Sequence, residues 1–102
     1  MSAQIKKEQA TVEKLIAMEW DILQDLRRML VNPKLSAAEK IRAANAIAYH
    51  ASVLNKLLAQ KGENPQFNDM NLGDFIKGVE KRTARRIRVE FIRWTKRLSL
   101  TK

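Results

Sequence analysis

Residues 36–62, SAAEKIRAANAIAYHASVLNKLLAQKG, decide the fold. Ser36 stands three residues before Glu39, the spacing of a capping box, in which the Ser hydroxyl accepts from the Glu39 N–H and the Glu side chain reaches back. Lys61 and Gly62 close the stretch, with Gly62 at the position where a helix chain turns left-handed. Between these ends lie eight alanines and no proline, so helix propensity is high. At 100° per residue, Ala37, Ile41, Ala44, Ile47, Ala48, Ala51, Leu54 and Leu58 share one face, and Ala46, Val53 and Leu57 form a second apolar flank. Two apolar sides require neighbours on two sides. The stretch therefore reads as the central helix of a small bundle, with alanines letting backbones approach. Ser52 falls on its polar side, where a charge is expected to be tolerated.

The preceding segment, about 3–31, reads as a long amphipathic helix. Val12, Leu15, Met18, Ile22, Leu26 and Met29 set its stripe, widened by Ile16, Leu23 and Leu30, and Ser2 is a candidate cap. Trp20 lies at the edge of the stripe as a seam cover. Glu19 lies inside it and needs a basic partner from a neighbouring helix, because an isolated buried charge is costly. Asn32–Pro33 breaks the helix, since Pro33 disfavours helical geometry at Asn32. So short a break makes the first two helices antiparallel arms of a hairpin, each roughly 40 Å long.

After Gly62 the chain changes character. Residues 61–71, KGENPQFNDMN, form a loop rich in turn residues, with Phe67 and Met70 as anchors onto the hairpin and Asp69 or Asn71 as caps for the next helix. A short helix, about 71–79, carries Leu72, Phe75, Ile76 and Val79. The pattern slips at Glu80–Arg82, with Gly78 easing a kink or break, and resumes over about 81–98 as Ala84, Ile87, Phe91, Trp94 and Leu98. The fold class is thus all-α, a single domain over 1–102: an antiparallel long hairpin, one short helix and a C-terminal helix.

Charge points to function. The chain carries a net charge of +9, and residues 81–97, KRTARRIRVEFIRWTKR, hold eight Lys or Arg against the single acid Glu90. Residues 1–62, far longer, hold ten basic and six acidic groups. On a wheel Arg82, Arg85, Arg86, Arg93, Lys96 and Arg97 fall within an arc of about 120°, opposite Ile87, Phe91 and Trp94. The arginine fork suits phosphate, and a one-sided stripe on a rigid helix can track a phosphate backbone. These six residues are the candidate nucleic-acid contacts, and DNA without sequence preference is the expected partner. Three alternatives share the pattern. One is a solvated basic face with some salt bridges to Glu13, Glu19 or Asp25. Another is a scaffolding bundle whose basic helix meets an acidic partner. The last is a helix lying on an anionic membrane with Phe91 and Trp94 inserted. A helix-turn-helix over 69–98 is a variant of the first reading.

Other classes find no support. Cysteine is absent and His50 is the sole histidine, so no metal set is expected, and His50 reads as a structural histidine. No phosphate-cradling loop, nucleophile constellation or paired carboxylates occur, so neither an enzyme nor a cofactor is expected. No apolar run reaches the ~20 residues of a spanning helix and no signal peptide opens the chain, which leaves an intracellular protein, in cytoplasm or virion, as the expectation. Membrane partners and small-molecule substrates are not expected. Because the stripes of the first two helices are wider than one hairpin can bury, a homo-oligomer joined through the hairpin is expected, a compact four-helix monomer being the alternative.

Residues 31–62, VNPKLSAAEKIRAANAIAYHASVLNKLLAQKG, add a resemblance. The long helix, the short Asn-Pro turn, the Leu-Ser-x-x-Glu-Lys cap and the Ala/Leu-rich return helix resemble the helical-hairpin oligomerisation region of small terminase-type proteins of phages and archaeal viruses. The resemblance implies a ring-forming, DNA-binding protein that recruits a packaging motor. This sequence departs from the pattern in lacking a separate N-terminal DNA-binding domain, so DNA contact would fall to the C-terminal basic helix. The expectation carried forward is a viral or mobile-element nucleoprotein.

Overall fold

The computed structural model describes the backbone of residues 2–64, 66–67 and 69–100, and the side chains of 11–64, 66–67 and 72–98. The described residues form four helices in order: α1 (Ser2–Leu30), α2 (Ala37–Gln60), α3 (Asp69–Phe75) and α4 (Lys81–Leu100). Among the described residues there is no strand. α2 is the middle of the molecule, with α1 packed on one side and α4 on the other, and the outer two do not pack on each other.

The hairpin turn is made as its residues dictate. The Lys34 N–H donates to Asn32 Oδ1 at 3.0 Å and the Leu35 N–H to the Asn32 carbonyl at 3.3 Å, a β-turn with Asn first and Pro33 second. Ser36 then caps α2 from extended backbone, its hydroxyl accepting from the Glu39 N–H at 3.2 Å. At the far end Gly62 takes φ 80°, the Gly62 N–H donates to Ala59 at 3.0 Å and the Glu63 N–H to Leu58 at 2.9 Å. This is a complete Schellman stop.

Small residues let α2 serve two neighbours. Ala43, Ala44, Ala48 and Ala51 are buried alongside Ile47, Leu54 and Leu58, and α1 adds Leu23 and Leu30. α4 contributes Ile87 and Phe91 from the other side. Partners along α2 and α4 advance together: Arg86 meets Asn45, Tyr49 meets Trp94, Ser52 lies against Phe91 and Thr95, and Lys56 donates to the Leu98 carbonyl. The two helices are therefore parallel, and residues 61–80 must carry the chain back along the slab. Phe67 anchors this return. It is buried between Trp20 and Phe75, and Asn55 binds both its N–H and its carbonyl at 3.0 and 2.9 Å. Trp20 thus covers a seam, as expected. Met70, Asp69 and Asn71 lie outside the described side chains, as does Ser2.

Four expectations change. The short helix is α3 at Asp69–Phe75 rather than 71–79, because the chain breaks rather than kinks, Gly78 adopting φ 91° ahead of α4. The α1 stripe is rotated: Leu23 and Leu30 lie at its centre with Ile16, Trp20 and Leu26 beside them, while Leu15, Met18 and Met29 are exposed. Polar anchors set this phase. His50 Nδ1 lies 2.6 Å from the Glu19 carboxylate, and Arg27 Nε donates to the Phe75 carbonyl at 2.7 Å, capping the end of α3. Ala37 and Ile41, read as part of the buried face of α2, are both exposed, Ile41 near the level where α4 begins. Ser52, read as solvent-facing, is only 3% exposed, its hydroxyl donating to the Ala48 carbonyl at 2.9 Å beneath α4. A charge at that position is therefore expected to destabilise the fold.

Candidate nucleic-acid interface

α4 begins after the turn at Gly78, where the Ala84 N–H donates to the Glu80 carbonyl at 2.9 Å. Ile87 and Phe91 are buried against α2, and Trp94 lies partly buried with its ring 4.7 Å, edge to face, from Tyr49. Beside that apolar line α4 also touches α3, and its basic side faces out.

All six candidate contacts are exposed: Arg82, Arg85, Arg86, Arg93, Lys96 and Arg97. Arg86, Arg93 and Arg97 have partners that fix their direction. Arg86 Nε donates to Asn45 Oδ1 at 3.0 Å, Arg93 donates to Glu90 at 3.1 Å, and the Arg97 guanidinium lies 5.1 Å from the centre of the Trp94 ring. Arg82 and Arg85 make no ion pair or hydrogen bond among the described residues. The guanidinium of Arg88, outside the candidate set, lies over α3, so close that a Cβ at Gly73 would stand 3.0 Å from it.

The three acids named above as partners for this stripe are engaged elsewhere. Glu13 pairs with Lys61 at 3.2 Å, Glu19 with His50, and Asp25 with Arg28 at 2.8 Å. The hydrogen bond that the Lys61 ammonium donates to Glu13 raises the pKa of Lys61, desolvation opposing it and the charges of Glu13 and Glu63 adding to it, so Lys61 remains a cation at the far end of the hairpin. Only Glu90 sits within the basic stripe, and one half-buried carboxylate leaves a strong positive field along α4.

No protein family, characterised protein or solved structure matches this chain. The chemistry of the site therefore rests on its own residues. α3 and α4 are joined by residues 76–80 and touch each other, and α4 also packs on α2. Among the described residues no group of three His, Cys, Asp or Glu side chains could hold a metal ion, and no helix is long and apolar enough to cross a membrane. Phe91 and Trp94, the residues a membrane-surface helix would have to insert, face α2 instead.

Two further features were not foreseen. Val89 and Ile92 are 44% and 46% exposed at the middle of α4, flanked by the cations. Their positions continue the 3-4 spacing Arg82, Arg85, Val89, Ile92, Lys96, a signal present in the sequence but hidden among the charges. The other is a shallow cleft of about 290 Å³ between α1 and α2, lined by Leu26, Met29, Ala43 and Ala46 with Glu39 and Arg42 at its rim. It adjoins the exposed residues of the α1 stripe.

Proposed function

We propose that this chain is a small, non-enzymatic nucleic-acid-binding protein that holds DNA phosphates on the outward face of α4 and assembles through its hairpin. One observation carries the reading: six cations stand exposed together on a helix at the edge of the molecule, and three of the hairpin's acids, Glu13, Glu19 and Asp25, are paired away from them. Such a surface attracts a polyanion over several ångströms and gains further from released counterions. A nucleoprotein of a viral or mobile element, inside the cell or virion, is the setting implied by the resemblance of residues 31–62.

Assembly is supported by the exposed line Leu15, Met18 and Met29 beside the apolar cleft. Two chains of charge +9 repel, but α1 carries five basic and five acidic residues, so that surface is locally neutral and can meet its own copy. Repeating α4 across such an assembly multiplies the affinity of a single stripe.

The test is duplex binding by fluorescence anisotropy at graded salt, with the mass of the free protein measured by light scattering. Six phosphate contacts give a log–log slope of about −5 per copy, so affinity falls on the order of 10³-fold between 50 and 200 mM salt. The mass is expected to be a multiple of 11.8 kDa. A flat salt response would remove the phosphate reading, and a monomer mass at micromolar concentration would remove the assembly.

A further inference from the structure

We propose that α4 enters the major groove of a DNA duplex and places Val89 and Ile92 against thymine C5-methyl groups. The inference rests on the nucleic-acid reading above and names the form of nucleic acid that the same helix takes.

Val89 and Ile92 are unusual as a pair. An exposed β-branched side chain on a helix is ordinary when it stands alone. Here two stand one turn apart, so their side chains are neighbours on the helix surface. They bracket the midpoint of Lys81–Leu100. Arg82 and Arg85 lie beyond them toward the N-terminus, Lys96 toward the C-terminus, and Arg86, Arg93 and Arg97 along one flank. The surface is an apolar centre in a basic frame.

A phosphate backbone alone explains the frame and not the centre. A groove explains both, because phosphates line its walls while base edges form its floor. An α-helix with side chains is about 10–12 Å across, and the major groove of B-form DNA is about 12 Å wide. Arg82 and Lys96 stand roughly 21 Å apart along the helix axis, so both ends of the frame reach backbone when the middle reaches bases. On that floor the one apolar group is the thymine methyl, and valine or isoleucine meets it with little side-chain freedom to lose.

α4 packs on α2 along one side and touches α3 where the Arg88 guanidinium lies over Gly73, and Val89 and Ile92 stay exposed. The alternatives fit less well. The major groove of A-form RNA is too deep and narrow for side chains to read. Single strands are held by stacking on exposed rings, but the Trp94 ring is already engaged by Tyr49 and Arg97.

The test compares the whole protein on three probes: an A·T-rich duplex, the same duplex with deoxyuridine in place of thymine, and the thymine strand alone. Deoxyuridine removes only the C5-methyl. Each methyl buried is worth about four-fold in affinity, so wild type is expected to bind the deoxyuridine duplex about four- to fifteen-fold more weakly. The variant Val89→Ala with Ile92→Ala keeps helix propensity and every cation, and circular dichroism checks its fold. It is expected to lose a similar factor on the thymine duplex and to be indifferent to deoxyuridine. Equal wild-type affinity for the two duplexes, with a steep salt response, overturns the groove placement and leaves the phosphate reading intact. Tighter binding to the single strand also overturns it. Absence of binding to all three probes, at salt low enough for phosphate contacts, overturns both.

Discussion

Replacing Arg82, Arg85, Arg93 and Lys96 with glutamate is expected to abolish duplex binding while the far-ultraviolet circular dichroism remains that of the wild type. Four reversals of two charges each take residues 81–97 from +7 to −1, so attraction to phosphate becomes repulsion. The loss expected is at least 10³-fold, since most of the counterion release that drives such binding disappears. These four are chosen because all are exposed. Arg86 and Arg97 are left in place, one bonded to Asn45 and the other lying over Trp94. The change Arg93→Glu sets a second carboxylate three residues from Glu90, a like-charge pair that costs a few tenths of a kcal/mol. Binding that survived the reversal would move the interface away from α4.

Ala51→Glu is expected to unfold the protein. Ala51 is fully buried on α2, where the core has space for a methyl and no more. A glutamate there either displaces a neighbouring helix or is stripped of water without a partner, at a cost of several kcal/mol. A domain of this size has about 5–15 kcal/mol in total. One residue along, Ser52→Glu is expected to lower the melting temperature severely for the same reason, since Ser52 lies under α4. Gln60→Glu, exposed at the end of α2, is the control and is expected to melt with the wild type. If all three match the wild type, α2 is not enclosed from two sides.

How far the sequence could be read depended on whether a residue's role was local. The turn at Asn32–Pro33, the Ser36 cap and the Gly62 stop are decided by neighbours within a few residues, and each forms as the local chemistry requires. That α2 has neighbours on two sides was also legible, although α4 packs over Asn45, Tyr49, Ser52 and Lys56 rather than over the second apolar flank of Ala46, Val53 and Leu57, which stays half-buried. The phase of α1 was not. Hydrophobic periodicity alone favours Leu15, Met18 and Met29, but the Glu19–His50 pair and the Arg27 cap on α3 turn the helix toward Leu23 and Leu30. Both anchors join residues more than thirty positions apart. Ser52 was misjudged for a related reason: a wheel of α2 alone cannot show that a parallel α4 lies over its small polar flank.

The candidate site was legible in its charges and not in its centre. The six cations could be found by counting signs on a wheel, and all six are exposed. Val89 falls within the same arc, with Ile92 at its edge, but an apolar residue in a helix is normally assigned to the core. The wheel sets Val89 and Ile92 apart from Ile87 and Phe91, and burial shows that Ile87 and Phe91 are enclosed while Val89 and Ile92 face solvent.

The most direct test of nucleic-acid binding through α4 is a nuclear magnetic resonance titration of the isotope-labelled protein with a short duplex at low salt. Amide shifts are expected to move along residues 81–97, largest near Arg85, Val89, Ile92 and Arg93, with the Leu15–Met29 stretch of α1 unmoved. Shifts concentrated on α1 and absent from α4, or no shifts at all, would contradict the account.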